Sequence, residues 1–291
     1  MPNAANAASQ ASAAGPRICP PAIASAAGTP LATHVTSPAP VSQYCGFMLK
    51  MILYLHIAGG SAALLSMFIP LIAAKGGRTH RRSGWVFVSG MTIVSITALA
   101  LSGARYFYDP RPDAKAFALF LFYIAILTGN AVSVGVRVLR TKNRTGAHTH
   151  PWDIGLSALL TLTSIAMAVY GIAASRILFA VFSMIGLVTG IQGLYYWLRK
   201  PTEKMHWWLR HMSAMLGACI AATTAFLVVN APQAGLSRAS LIVWFTPAIV
   251  GTVATAIWTR YYKRKFSGSR RATTSTSPAA AVAGPYMPSR T

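Results

Sequence analysis

Residues 154–198 read IGLSALLTLTSIAMAVYGIAASRILFAVFSMIGLVTGIQGLYYWL, and their one charged residue is Arg176. On either side of it lie 22 uncharged residues. At about 1.5 Å of rise per residue, each half crosses the roughly 30 Å hydrocarbon layer of a membrane. Fused into one helix, the stretch would put its basic flanks, Arg144 and Arg199, on opposite sides of the bilayer. Read as two helices turning at Ala173-Ala174-Ser175-Arg176, it is a hairpin whose flanks share a side, and that reading is adopted.

Outward from this hairpin, runs free of Asp, Glu, Lys and Arg extend over 51–74, 83–104, 116–136, 211–237 and 239–259. Each is at least 21 residues long. With the hairpin they predict an all-α integral membrane bundle of seven transmembrane helices. Composition agrees, with 54% hydrophobic and 10% charged residues in 291, against about 25% charged in soluble domains. The three cysteines, Cys19, Cys45 and Cys219, show no C-x-x-C spacing, which excludes a disulfide scaffold and a zinc or thiol-redox motif.

The basic residues set the expected orientation. Those of the first, third and fifth loops and of the tail from Arg260 number 19, whereas the opposite side holds Arg17, Lys50, Arg105, Arg111, Lys115, Arg176 and Arg238. By the positive-inside rule the N-terminus lies outside and the C-terminus in the cytoplasm, in the inner membrane of a cell. The same clustering between apolar runs explains the net charge of +22 and excludes nucleic acid as the partner. Residues 1–45, rich in Ala, Pro and Ser, read as a disordered tail or as an over-called start, with Met48 or Met51 as alternative first residues. Residues 46–262 form the membrane domain. Residues 263–291 begin basic and end Ser/Thr/Ala-rich; with Arg260, their Lys263, Arg264, Lys265, Arg270 and Arg271 are expected to meet anionic lipid headgroups. The oligomeric state is left open.

Ionisable groups within a membrane are costly and so are functional candidates. His56 lies inside the first span, with Gly59, Gly60 and Ala63 on its face leaving room for a close helix, a planar cofactor or a water-filled cavity. It is either a neutral imidazole bonded to a neighbour or a titrating group. His80 stands at the cytoplasmic mouth between helices one and two, and His206 and His211 enter helix six from the same side. Imidazole is an axial ligand of b-type haem. Positions 206 and 211 are about 140° apart on a helix, so the expected pair is His80 with His211, or with His206 in its place. Arg210, four residues after His206, would take a haem propionate or a lipid phosphate. The alternative is a set of solvated histidines in an aromatic belt with Trp207 and Trp208.

Three further motifs are read as structural. His148-Thr-His150-Pro-Trp-Asp153 lacks a fourth metal ligand and is taken as a polar loop. Gly186, Gly190 and Gly193 form a close-packing face. In Asp109-Pro-Arg-Pro-Asp113 the acids are expected to bond Arg105, Arg111 and Lys115.

Leu55-His56-Ile-Ala-Gly59-Gly60, Thr79-His80-Arg81-Arg82-Ser-Gly84 and His206-Trp-Trp-Leu-Arg210 resemble the motifs of a group of bacterial multi-pass membrane proteins, the domain of unknown function family 2306. The first two match its L-H-x-x-x-G and H-R-x-x-G patterns; the third fits loosely. The resemblance implies a membrane protein without an assigned reaction. A more distant similarity is to the ascorbate-reducible di-haem b-type cytochromes, which hold haems on histidines near both ends of a four-helix core. Since His56 has no histidine partner in an outer half-helix, it implies at most one bis-histidine haem, on the cytoplasmic side. The function expected is therefore one-electron transfer through a single b-type haem. The alternatives are a small-molecule or proton-coupled transporter using His56 and a non-catalytic sensor or binding subunit.

Overall fold

The computed structural model describes residues 39–274 apart from Lys204 and Ala239, with side chains described from Gly46 to Phe266. The expected tails over 1–38 and 275–291 lie outside the described residues. The elements are α1 (Ala39–Ser66), α2 (Phe68–Ile72), α3 (Arg78–Tyr108), α4 (Pro112–Arg137), α5 (Pro151–Ala173), α6 (Ile177–Leu198), α7 (His206–Asn230) and α8 (Leu241–Thr274). Short 3-10 turns follow α4 and α7, and among the described residues there is no strand. Seven segments are long and apolar enough to cross a membrane: 46–72, 78–108, 112–140, 151–173, 177–198, 206–234 and 241–266. Their outer faces carry large apolar side chains, among them Ile72 at 87% and Leu65 at 73% exposure, as a lipid-facing surface requires. The chain is a multi-pass membrane protein.

Helix ends extend beyond the uncharged runs, because charged residues also belong to the terminal turns. α3 starts at Arg78 and α7 at His206, so His206 and His211 share one helix. The first span breaks at Met67, three residues before Pro70, whose ring displaces the carbonyl one turn back and whose nitrogen has no proton to give it. α4 and α5 open on Pro112 and Pro151, each with an aspartate in its first turn, which suits the free N–H groups there.

The expected hairpin is present as α5 and α6. Its turn is a Schellman motif: Arg176 N–H donates to the Gly171 carbonyl at 2.7 Å and Ser175 N–H to the Ile172 carbonyl at 3.1 Å. Ser175 takes the left-handed position with φ 53°, where glycine is the unstrained residue. Ser175→Gly should therefore stabilise the hairpin by about 0.5–1 kcal/mol, read as a raised thermal midpoint in detergent; an unchanged or lowered midpoint would contradict this. Gly186, Gly190 and Gly193 press α6 onto α5. A Cβ on Gly190 would come within 3.0 Å of the Thr161 backbone nitrogen, and one on Gly193 within 2.8 Å of Ser157 Oγ.

Arg176 also ties the hairpin to α4, its Nη2 meeting Asp113 Oδ1 at 2.5 Å. Of the partners expected for Asp109 and Asp113, namely Arg105, Arg111 and Lys115, the last pairs with neither acid; Asp113 and Lys115 both lie in the first turn of α4. Two residues apart on a helix, those side chains point away from each other, and Lys115 Nζ lies 5.9 Å from the Tyr106 ring centre instead. Asp109 keeps its expected partners: it accepts from Arg111 N, Nε and Nη2 and lies 4.0 Å from Arg105. The Arg111 guanidinium holds its carboxyl down at about 2.

α4 and α7 run through the middle of the bundle. α3 joins α1 to α4, while α8 leans on α7. Near the Asp109 end, Phe120 stacks on Phe179 with ring centres 4.7 Å apart, and Phe182 and Trp244 close the cluster. Tyr123 donates to the Phe182 carbonyl at 2.9 Å, fixing α4 against α6.

Candidate functional site

At the end of the bundle opposite Asp109, the first turn of α3 meets the second turn of α7. Gly76, at φ 80°, turns the chain sharply after α2, so that His80 reaches back over the end of that helix. Its Nδ1 donates to the Pro70 carbonyl at 3.1 Å, a group that Lys75 Nζ also caps at 2.8 Å. His211 Nδ1 donates to the Gly135 carbonyl at 2.6 Å, in the last turn of α4. Gly135 admits α7 this closely because a side chain there would run into Met215.

The two rings lie with centres 6.5 Å apart and planes at 68°. A carbonyl can only accept, so Nδ1 carries the proton in both and each Nε2 keeps its lone pair. That is the tautomer of a metal-bound imidazole with a carbonyl behind it. Two imidazoles on opposite sides of one metal ion, each nitrogen about 2 Å from it, have ring centres roughly 6 Å apart. The pair brings two imidazole lone pairs from different helices to one place, the donor type that a haem iron would take. One turn along α3 on the His80 face, Gly84 has no atom within 4 Å of where a Cβ would stand.

His206 and Arg210 do not join this pair. Both face Tyr196 on α6: His206 Nδ1 is 2.8 Å from its hydroxyl, and the Arg210 guanidinium lies 5.7 Å from its ring centre. Tyr196 was not singled out in the sequence, being one of several aromatic residues near a helix end. Arg144 also lies over this ring, at 4.3 Å from its centre, and caps α6 by donating to the Tyr196 and Trp197 carbonyls at 2.5 and 3.3 Å. His80, His206 and His211 are each half-buried and each makes a hydrogen bond within the protein.

The His148–Asp153 loop is a structural network. Arg137 grips Asp153 through Nε and through Nη2, the latter at 2.8 Å, and His148 Nε2 meets the same carboxylate at 2.8 Å. His150 caps α5, its Nδ1 accepting from Trp152 N at 3.2 Å. Among the described residues no group of three or more His, Cys, Asp or Glu could hold a metal ion.

His56 faces a different space. Gly59, one turn on, is filled by the expected close helix: its carbonyl meets Gly90 of α3. The Thr97 hydroxyl gives its proton to the Ile93 carbonyl at 2.6 Å, so at 2.9 Å it accepts from His56 Nδ1. The imidazole also lies within hydrogen-bonding reach of the Val94 backbone. It borders a cavity of about 1780 Å³, mostly apolar, running from Arg105 and Asp109 at one end to Arg210 at the other. Asn130, also at its wall, is fully buried, and both ends of its amide lack a hydrogen bond. A search for charged groups passes over this residue; the usable signal was an amide in the middle of an apolar run. Compared with known protein families, curated proteins and solved structures, the chain matches none of them.

Proposed function

We propose that this multi-pass protein resides in the cytoplasmic membrane and serves one-electron transfer, with His80 and His211 as the residues that would hold one b-type haem between the starts of α3 and α7. One observation carries the reading: imidazoles from two distant helices meet with centres 6.5 Å apart, each held by Nδ1 on a backbone carbonyl. When bound, such a haem supplies reversible exchange of single electrons. The chain's own part is orientation. The Pro70 and Gly135 carbonyls set the ring angles and raise the basicity of each Nε2. The test is haem content: protein purified from haem-sufficient cells should carry a single b-type haem per chain, and haem-free protein rejects the reading.

The histidine pair is assigned to the cytoplasmic side by the excess of Lys and Arg in the loops at that end. A reporter fused after Thr291 should accordingly be cytoplasmic and one inserted beside Arg111 external; a cytoplasmic signal from both would contradict this orientation. On the same side the last turns of the seventh span carry exposed Arg260, Arg264 and Lys265, beside a belt in which Trp208 meets Tyr262 at 4.3 Å. These cations suit anionic headgroups, at about 1 kcal/mol each.

A second reading, a small-molecule or proton-coupled transporter or a binding subunit, is favoured by the placement of the His56 imidazole at the cavity wall. It expects colourless protein and a phenotype concentrated at His56.

A further inference from the structure

Arg210 is not used by the imidazole pair, and its surroundings ask for a ligand. A guanidinium has five N–H donors and a permanent charge. Here it makes no hydrogen bond or ion pair with any described residue, and its Nε is sealed from solvent. Its one close electronic partner is the face of Tyr196. The chain has four acids, and all are engaged elsewhere: Asp109 with Arg111, Asp113 with Arg176, Asp153 with Arg137 and His148, and Glu203 with Lys263 at 2.7 Å. A half-buried guanidinium without a counter-charge is costly within a membrane protein.

Arg210 stands at one end of the large cavity, whose walls beyond it are chiefly apolar, with Ser213 and Gln192 beside it and Gly217 and Ala221 further along. At about 1780 Å³ the space exceeds the roughly 300–1,000 Å³ of ordinary small-molecule pockets. A long, mostly apolar space with the unpaired Arg210 guanidinium at one end, and with Lys50, Arg105, Asp109 and Arg238 elsewhere on its wall, is complementary to a long apolar molecule whose anionic head reaches Arg210.

We propose that this cavity binds an anionic single-chain amphiphile, its carboxylate or phosphate head paired with Arg210 and its chain laid along the apolar walls. The planar fork of arginine matches two oxygens of either head. This site is distinct from the histidine pair. Consecutive residues on a helix point about 100° apart, and Arg210 faces Tyr196 of α6 while His211 faces Gly135 of α4. The proposal does not depend on haem being bound.

The experiment is binding to delipidated full-length protein in a neutral detergent, followed by native mass spectrometry and thermal shift. The probes are palmitate, hexadecyl phosphate, methyl palmitate and inorganic phosphate. Palmitate and hexadecyl phosphate should bind and stabilise, whereas methyl palmitate and inorganic phosphate should do neither. Arg210→Gln should weaken palmitate roughly tenfold to a hundredfold, and Arg210→Lys should keep part of the affinity as a point charge. Should Arg210→Gln fail to fold, Gly217→Leu provides the second test. Its added side chain enters open space on the cavity wall and should weaken palmitate while the head site is intact. Equal binding of methyl palmitate would overturn the proposal, as would equal stabilisation by inorganic phosphate alone. So would an Arg210→Gln protein that binds palmitate normally but loses haem, since the arginine would then serve a propionate.

Discussion

His80→Ala and His211→Ala are each expected to remove the low-spin spectrum of the purified protein. The variant either retains haem on one imidazole, with a high-spin spectrum, or loses it. Both outcomes follow from a site with only two protein ligands, one on α3 and one on α7, and no third histidine within the pair. His206→Ala should leave the spectrum intact because that ring is spent on the Tyr196 hydroxyl. His150→Ala should do the same, since His150 caps α5. His56→Ala is also expected to be silent here: 24 residues of sequence and a turn separate it from His80, and it bonds Thr97 in the span interior. A spectrum unchanged in both His80→Ala and His211→Ala would exclude the pair as ligands.

The second large effect is structural. Gly90→Ala would put a Cβ 2.6 Å from the Gly59 carbonyl oxygen and 3.1 Å from the Ala63 nitrogen. Both are backbone atoms of α1 that cannot rotate away. The two helices must separate, forfeiting contacts around Phe87 and Met91, at a cost of roughly 1–3 kcal/mol or more. Thermal denaturation in detergent should show a midpoint well below that of the native protein. Gly103→Ala, in the same helix but with nothing within 4 Å, should be neutral or stabilising, because alanine is the better helix former by about 1 kcal/mol. Equal behaviour of the two variants would mean that α1 and α3 do not pack as described.

The seven spans could be read from the sequence because the cost of charge in hydrocarbon makes each run end visibly, even where Arg176 alone divides two of them. Bringing His80 near His211 was legible for a related reason: loop parity puts both at one membrane level, and helical angle separates His211 from His206. What could not be read were groups whose partner is the main chain or a distant helix. The carbonyls of Pro70 and Gly135 become available only because helices end there, and no side-chain motif marks them. The Asp113–Arg176 pair depends on how the α5–α6 hairpin leans on α4, so local sequence pointed wrongly to Lys115. Asn130 carries no charge and was hidden in an apolar run, although its buried amide is as exacting as an ion in that setting. The isolation of Arg210 could be recognised only after every acid had been placed.

The central claim rests most directly on the absorption spectrum of detergent-purified full-length protein, made with ample haem supply, first oxidised and then reduced with dithionite. Axial ligation by His80 and His211 requires a Soret band that sharpens and shifts on reduction, with resolved low-spin bands at longer wavelength. A colourless preparation, or a haem whose reduced spectrum is high-spin in the native protein, would contradict it.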